Sequence, residues 1–400
     1  MTEILTTHAG SLPRTPALLA ANAARRVADD GFTLERSDEH DALVAAAVAD
    51  VVVRQRDAGI RIVNDGEYGK AMSTAVDYGA WWSYAFQRVA GLSLTDDDVY
   101  RSGHTPSAPG DIRLTSFPHR RDRVLFPGAY GDPDGVLAGR RAVRFPATTG
   151  PLAYVGQDAV AADARNLRAA IDAAGVEEGF LTALSPGSGA RVANEHYASD
   201  EEHVWAWAEV LREEYLAIVD AGLTVQVDDP SLAESWDQIS PEPTVADYRA
   251  WLQVRVDALR HALRGIPPER VRLHVCWGSW HGPHVTDIGL EHIVDQVLEV
   301  GAGAISFEAA NVRHEHEWRV WQDVALPEHV RLLPGVVSHA TNVVEHPRLV
   351  ADRIERLAGI VGPERVVAST DCGLGGRVHP EIAWAKLAAI GDGAALASKR

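Results

Sequence analysis

Residues 271–284 read VRLHVCWGSWHGPH, and they begin with an apolar run typical of a buried β-strand. The run ends by presenting His274 and Cys276. Side chains alternate between the two faces of a strand, so these residues, two positions apart, point to the same side. Imidazole and thiolate are ligands that suit zinc. The stretch therefore predicts a strand that carries two metal ligands at its carboxyl end.

Similar short apolar runs recur along the chain, with helical patterns between them. One helix begins at Ser199, where Glu202 completes a capping box, and stops at Gly222. Others span residues 38–58 and begin near Pro347. Strands that alternate with helices indicate a parallel sheet. The strand candidates are 4–10, 60–64, 143–149, 180–185, 223–228, 271–276, 304–308, 331–339 and 366–371.

The predicted fold class is α/β, a (β/α)8 TIM barrel formed by residues 1–400 as one domain. The candidates exceed eight by one, so either 143–149 or 180–185 lies outside the barrel, and the sequence does not decide which. A doubly wound open sheet is the alternative, but no Gly-rich phosphate loop follows the first strand. Residues 70–142 are rich in Gly, Pro and aromatic residues. They predict a long inserted loop with short helices after the second strand, a lid or a subunit contact.

Composition narrows the function classes. The formal net charge of −18 argues against nucleic acid or an anionic membrane surface as a partner. No apolar run is long enough to span a membrane, and the N-terminus does not resemble a signal peptide, so we expect a cytoplasmic protein. The two cysteines, Cys276 and Cys372, are too few for a disulfide framework. They remain open as buried apolar residues, metal ligands or a nucleophile.

Polar and ionisable residues stand at the end of nearly every predicted strand. The carboxyl ends of barrel strands meet at one mouth, so these side chains should converge there. Burying unpaired carboxylates is costly, and a metal ion removes that cost for some of them. The residues at this position are Ser11, Glu67, Asp228, His274, Cys276, Glu308, His339 and Cys372.

From this set we predict a Zn²⁺ site. Taken singly, the residues have plainer interpretations: a hydrogen-bonded histidine, buried cysteines and a glutamate in a salt bridge. Together they give a tetrahedral site with a formal charge of about −1, which suits the binding of a substrate thiol as thiolate. A free thiol with a pKa of about 8.5 is mostly protonated at neutral pH, whereas a zinc-bound thiol is deprotonated. The predicted ligands are His274, Cys276, Glu308 and Cys372.

Several short motifs carry a resemblance to a known family. In order along the chain they are TTHAGSLPR, DGE, VQVDDP, HVC followed by FE, SHATN and DCGLGGR. They resemble the catalytic half of cobalamin-independent methionine synthase and its wider superfamily of zinc thiol-alkyltransferases, which includes epoxyalkane:coenzyme M transferase. The resemblance spans residues 4 to about 390. It implies a barrel like that of methionine synthase and uroporphyrinogen decarboxylase, and it implies zinc held by the four ligands already named.

The resemblance also assigns substrate residues. Glu67 and Asp228 match acids that hold the amino group of homocysteine, and Ser11 lies on the turn that cradles the amino acid. His339 matches a histidine that acts as an acid toward the leaving group. Two further residues complete the predicted substrate-binding set, Trp277 directly after the zinc pair and Asn342 in the SHATN motif.

Some features depart from methionine synthase. The chain has no N-terminal duplicate domain, as expected of a core-only form, and it has Asp229 where the family has glutamate. No tryptophan occurs between Trp82 and Trp205, where methionine synthase has one that stacks on folate. The loop of Trp277, Trp280, His281 and His284 looks closer to the coenzyme M transferase branch. The methyl or alkyl donor therefore stays open.

The predicted function is zinc-dependent S-alkyl (methyl) transfer to a small thiol such as homocysteine, with a small-molecule alkyl donor as the second partner. The first alternative is epoxyalkane:coenzyme M transferase-like addition of a thiol to an epoxide. The second is a metal-free enzyme like uroporphyrinogen decarboxylase, which would need a basic mouth. The third is a non-catalytic zinc carrier or thiol sensor, which would leave Glu67, Asp228 and His339 without a role. The oligomeric state, including a homo-oligomer, is left open.

Overall fold

The computed structural model describes residues 2–74, 76, 78–95, 105–116, 119–132 and 144–399. Ten strands are present in these ranges. In chain order they are β1 Leu5–Thr6, β2 Ile62–Asn64, β3 Val89–Leu94, β4 Pro146–Tyr154, β5 Glu178–Leu184, β6 Thr224–Asp228, β7 Val271–Val275, β8 Ala304–Phe307, β9 Arg331–Val337 and β10 Val367–Thr370.

Eight of these strands form a parallel, nearly closed barrel with the neighbour order β1-β10-β9-β8-β7-β6-β5-β2. Strands β1 and β2 approach each other at the remaining seam, where Arg61 N donates to Thr6 O at 3.1 Å and the Thr7 hydroxyl donates to Ile62 O at 3.0 Å. The predicted (β/α)8 barrel is confirmed, and the doubly wound open sheet is wrong.

Helices surround the barrel and connect its strands. Their bounds are α1 Pro16–Ala24, α2 Asp38–Asp57, α3 Gly79–Arg88, α4 Arg121–Leu125, α5 Pro127–Gly131, α6 Gln157–Ala174, α7 Pro186–Gly189, α8 Asp200–Asp220, α9 Val245–Ala262, α10 Val294–Glu299, α11 Val320–Asp323, α12 Pro347–Val361 and α13 Pro380–Ala397. None of the helices in the described ranges has the length and apolar composition needed to cross a bilayer.

The helix boundaries follow the capping signals in the sequence. Ser199 precedes α8, and its hydroxyl accepts the backbone N–H of Glu202 at 3.0 Å. The Glu202 carboxylate reaches back to accept the N–H of Ala198 at 3.1 Å. Gly222, with φ of +80°, reverses the chain after the helix. The apolar positions predicted for this helix, Val204, Trp207, Leu211, Tyr215 and Ile218, are all buried.

The surplus strand candidate lies outside the barrel. Strand β4, which contains most of the predicted strand 143–149, pairs antiparallel with β3. The candidate 180–185 is therefore the barrel strand, β5. The hairpin strand β3 was not predicted, because Gly91 interrupts its apolar pattern at a bulge. Gly91 has φ of +92°, and a Cβ there would lie 2.5 Å from the carbonyl oxygen of Pro151.

The first part of the 70–142 insertion is fixed to the barrel helices rather than irregular. It contains the ten-residue helix α3, and it also contains the strand β3, which the expectation of a loop with short helices did not include. Arg88, at the end of α3, donates to Glu214 of α8 at 2.7 Å and also pairs with Asp163 of α6. The Arg88 side chain is only 6% exposed, so these ion pairs are shielded from water.

Candidate functional site

Three of the predicted metal ligands meet at the carboxyl end of the barrel. His274 lies in β7, Cys276 follows that strand directly, and Cys372 follows β10. One ligand atom from each residue lies within 4.8 Å of the others. His274 and Cys276 are buried, and Cys372 is half-buried. The alternation of side chains along β7 thus delivers the imidazole and the thiol to one point, as predicted.

The imidazole of His274 is oriented for metal binding. Its Nδ1 is hydrogen-bonded to the hydroxyl of Ser306 at 2.9 Å, on the neighbouring strand β8. Its Nε2 is buried and has no hydrogen-bond partner among the described residues. Metal-ligating histidines pair one ring nitrogen with a protein group and leave the other for the metal. The orphaned Nε2 and the two adjacent sulfurs form a donor set that fits zinc.

The two thiols influence each other strongly. Their contact, together with the nearby His274, lowers the pKa of Cys372 well below its usual value. The same contact and burial raise the pKa of Cys276 well above its usual value. The opposite directions of the two shifts are expected for closely coupled acids. A bound dication would favour the thiolate form of both.

Glu308, the fourth predicted ligand, lies next to this group but belongs to a second cluster. One carboxylate oxygen accepts the backbone N–H of Trp277 at 3.0 Å, and the other accepts a hydrogen bond from Asn311. One Glu308 oxygen lies within 4.8 Å of ligand atoms of His339 and Asp371. Burial and the nearby Asp371 raise the pKa of Glu308 to about 8.

His339 follows β9 and is 1% exposed. Neither of its ring nitrogens has a hydrogen-bond partner in the described part of the chain. Burial lowers its pKa to about 4, so the ring is neutral at physiological pH. Its carbonyl oxygen lies 3.2 Å from Nε2 of His281 on the loop that follows β7.

Asp371 was not among the predicted site residues, although it immediately precedes Cys372. Its Oδ1 accepts the backbone N–H groups of Ala309 at 2.7 Å and Ala310 at 2.8 Å. These bonds join the loop after β10 to the loop after β8. They therefore fix the positions of Cys372 and Glu308 relative to each other. Adjacency to a cysteine in the DCG motif was the only signal in the sequence.

The predicted amino-acid end of the site contains Asp228 and Glu67. Asp228 is the last residue of β6, and its Oδ1 accepts a hydrogen bond from Gln226 at 2.7 Å. Burial, with a smaller contribution from the charge of Glu67, raises the pKa of Asp228 to about 7, while nearby His274 opposes the shift. Asp228 therefore lies within electrostatic range of both Glu67 and His274.

Glu67 follows β2 on a tight turn and is 8% exposed. Its Oε1 accepts a hydrogen bond from the Thr182 hydroxyl at 2.6 Å and lies 3.3 Å from Nζ of Lys70. Burial raises its pKa, but Lys70 and Thr182 outweigh that effect, so the pKa of Glu67 lies below its usual value. Neither Lys70 nor Thr182 was predicted, since both lie outside the recognisable motifs.

The other predicted substrate residues differ in their placement. The Ser11 carbonyl accepts the N–H groups of Leu374 and Gly375, both at 2.9 Å, which ties its turn to the loop that follows Cys372. The Trp277 ring is buried and stacks on His314 at 3.9 Å. Trp277 reaches the site through its backbone N–H instead. Asn342 is exposed on the loop after His339.

Residues 105–116 and 119–132 of the insertion pack against two loops at the barrel mouth. Arg120 donates to Glu234, after β6, at 2.8 Å. Its guanidinium also lies 3.8 Å from the centre of the Trp280 ring. The indole N–H of Trp280 donates to the Tyr130 hydroxyl at 2.8 Å. This part of the insertion therefore packs against the loops that follow β6 and β7 in its own chain.

The chain matches one known protein family. The family model described as "Cobalamin-independent synthase, Catalytic domain" matches residues 144–395, more than half of the chain. The chain belongs to this family. The match includes His274, Cys276, Cys372, Glu308 and His339, whereas Ser11 and Glu67 precede it. Among curated proteins, no sequence matches this chain significantly.

Two solved structures of B12-independent methionine synthases share the fold. The enzyme from Shewanella sp. W3-18-1, in complex with selenomethionine, has a TM-score of 0.65 and 19% identity, covering 100% of this chain and 98% of its own. A putative vitamin-B12 independent methionine synthase from Listeria monocytogenes has a TM-score of 0.61 and 15% identity, with 98% of each chain covered. At this identity the likeness establishes a common barrel architecture.

Proposed function

We propose that this chain is a zinc-dependent transferase that alkylates a small thiol at sulfur, with homocysteine as acceptor and a methyl group as the transferred unit. The observation that carries the proposal is the meeting of two sulfurs and one ring nitrogen of His274 within 4.8 Å of one another at the barrel mouth. Membership in the cobalamin-independent synthase family supports the same chemistry. Two uncrosslinked thiols suit a reducing, cytoplasmic environment.

Zinc fits the donor set better than the harder divalent ions, because thiolate and imidazole are soft or intermediate ligands. His274, Cys276 and Cys372 would hold it, and Glu308 would supply the remaining oxygen ligand. When bound, zinc supplies the acidity that makes a coordinated substrate thiol a thiolate at neutral pH. Glu308 lies outside the tight group of three and is therefore the ligand best placed to give way to substrate sulfur.

The protein's own residues would orient the acceptor. Glu67 and Asp228 are two carboxylates in electrostatic contact, and a cationic group between them relieves their repulsion. The turn that carries Ser11 is fixed beside Cys372, and its polar groups suit the carboxylate end of an amino acid. An amino-acid thiol bound in this way would have its sulfur directed toward the metal ligands.

His339 is the candidate for assisting the leaving group. Its neutral ring carries one N–H, and no described group accepts it. During transfer, the carbon–donor bond breaks as the carbon–sulfur bond forms, and the donor atom gains negative charge. A hydrogen bond from the N–H of the neutral His339 ring would stabilise that charge.

Addition of the thiol to an epoxide is the second candidate function. The contacts of Trp280 favour this function. Its ring packs against Arg120, and its indole N–H donates to the Tyr130 hydroxyl. A folate needs a free aromatic surface for stacking, whereas an epoxide needs only a small pocket. A decarboxylase acting on polycarboxylates is disfavoured because the carboxyl groups of Asp228, Glu308 and Asp371 lie at the strand ends, where such a substrate would need basic side chains. A zinc carrier leaves Asp228 without a role.

A panel of acceptors and donors tests the proposal. Zinc-loaded enzyme would be incubated with homocysteine, coenzyme M or glutathione, each with a methylated folate, another methyl donor or an epoxide, and products would be identified by mass spectrometry. Methionine formation by the wild type, absent from the Cys276→Ser variant, is the expected result. A hydroxyalkyl thioether as the sole product would establish the epoxide reaction. No thioether from any pair would refute thiol alkylation.

A further inference from the structure

A buried lysine holds the Glu67 carboxylate from one side. Lys70 is 8% exposed, and its Nζ lies 3.3 Å from Glu67 Oε1. The same ammonium donates to the Thr182 carbonyl at 3.1 Å and to the Thr182 hydroxyl. That hydroxyl donates in turn to Glu67 Oε1 at 2.6 Å. The Tyr84 ring lies 4.5 Å from the ammonium. These contacts all fix the position of one carboxylate oxygen.

The backbone at Glu67 is held in an unfavourable conformation. Its φ of +59° lies in the left-handed region, directly after Gly66 with φ of +68°. The N–H of Glu67 donates to Asp65 at 2.9 Å. Arg14 donates to the carbonyl oxygens of Glu67 at 2.6 Å and Lys70 at 3.0 Å. A strained non-glycine residue that several contacts enforce is typical of a functional position.

The second carboxylate oxygen of Glu67 is left for a ligand. No donor in the part of the chain that the structure describes reaches Oε2 within hydrogen-bond distance. Gly10 lies on the Oε1 side, where a Cβ would be 3.0 Å from that oxygen and 2.8 Å from the Thr182 methyl group. Asp228 provides a second acceptor within electrostatic range. Glu67, whose negative charge is fixed in place by Lys70, and the second acceptor Asp228 together favour the binding of a cationic group.

We propose that Lys70 is a positioning residue that reserves Oε2 of Glu67 for an ammonium group on the acceptor, and so selects amino thiols over thiols that lack an amine. This inference rests on the proposed function. Lys70 keeps Glu67 ionised in a site from which water is largely excluded, and it prevents rotation of the carboxylate. Without Lys70, the buried Glu67 would take up a proton and lose its preference for a cation.

Binding selectivity tests this role without depending on turnover. Isothermal titration calorimetry would compare homocysteine with γ-mercaptobutyrate, which lacks only the amino group, on zinc-loaded wild type and Lys70→Met. The variant should weaken homocysteine binding by about 10- to 100-fold, the range for one lost charge-assisted hydrogen bond. Binding of γ-mercaptobutyrate should change less than about threefold. Zinc content should stay the same in both proteins.

Equal weakening of both thiols, or no weakening of homocysteine, in a folded variant would overturn the role of Lys70. If Lys70→Met does not fold, Lys70→Gln, which keeps hydrogen bonding without the charge, decides by the same comparison. The wild type separates this proposal from the underlying function. If it binds homocysteine no more tightly than γ-mercaptobutyrate, the assignment of homocysteine as acceptor fails before any variant is considered.

Discussion

The hydrogen bond between Ser306 and His274 offers a test of the metal site, because Ser306 orients a predicted metal ligand and is not itself a ligand. The Ser306→Ala substitution removes the 2.9 Å partner of Nδ1 and leaves that nitrogen buried without a hydrogen bond. Both residues are nearly inaccessible, at 0% and 2% exposure, so water does not easily replace the hydroxyl. An unsatisfied buried polar group costs about 1–3 kcal/mol, and loss of such outer partners weakens metal binding by roughly 10- to 100-fold.

Competition with a chromophoric chelator would measure the zinc dissociation constant of wild type and variant. The matched control is Ser369→Ala, since Ser369 is also a fully buried barrel serine, but its hydroxyl has no partner among the described residues. We expect weaker zinc binding only in Ser306→Ala, and thermal unfolding should show the apo form of this variant to be less stable than apo Ser369→Ala by about 1–3 kcal/mol. Unchanged zinc affinity in Ser306→Ala, or an equal loss in Ser369→Ala, would refute the role assigned to His274.

Further predictions concern the ligands, the acceptor, the insertion and the pH dependence of folding. Cys276→Ser and Cys372→Ser should each lose most bound zinc by elemental analysis; stoichiometric zinc in both would contradict the ligand set. Asp228→Asn should weaken homocysteine binding about tenfold in calorimetry while zinc content stays constant. An unchanged affinity for homocysteine would argue against homocysteine as the acceptor. Arg88→Met should lower the free energy of unfolding by about 3–5 kcal/mol in urea titrations, because it leaves buried carboxylates unpaired; a loss under 1 kcal/mol would show that the pairs are dispensable. Burial lowers the pKa of His203 from 6.5 to about 4, so the folded state takes up fewer protons than the unfolded state below pH 6.5. Stability should therefore fall as the pH drops, by about 2 kcal/mol at pH 5 from this residue, and His203→Gln should remove that part of the loss; an identical pH profile in the variant would contradict the assignment.

The barrel was predictable because its strands are buried on both faces, which gives short apolar runs separated by amphipathic helices. The hairpin was not, since β3 is partly exposed and its Gly91 bulge breaks the alternation. Its partner β4 was recognised as a strand, but sequence alone carries no information on whether a strand pairs inside or outside the barrel.

The metal-ligand group was predictable from one geometric rule, that strand ends converge. That rule places Cys372 beside His274 although they are far apart in sequence. The rule does not predict how far Glu308 lies from His274, Cys276 and Cys372. That distance depends on the local backbone around Trp277 and Asn311, which bind the Glu308 carboxylate. The supporting residue Ser306 was missed because its role follows from strand register, which the sequence does not reveal.

The positions of Lys70 and Thr182 show the same limit. Lys70 is three residues from Glu67, a spacing that also occurs by chance on any turn. The left-handed backbone at Glu67 is what brings the two side chains together. Thr182 reaches them from β5 and has no motif around it. Contacts of this kind can be recognised only when the order of the strands around the barrel is known.

X-ray absorption at the zinc edge, recorded with and without homocysteine, tests the central claim most directly. The account predicts two sulfur ligands at about 2.3 Å in the free enzyme and a third sulfur, replacing an oxygen, when the thiol is added. A sulfur count that stays the same on addition of homocysteine, coenzyme M and glutathione would contradict activation of a thiol at this site.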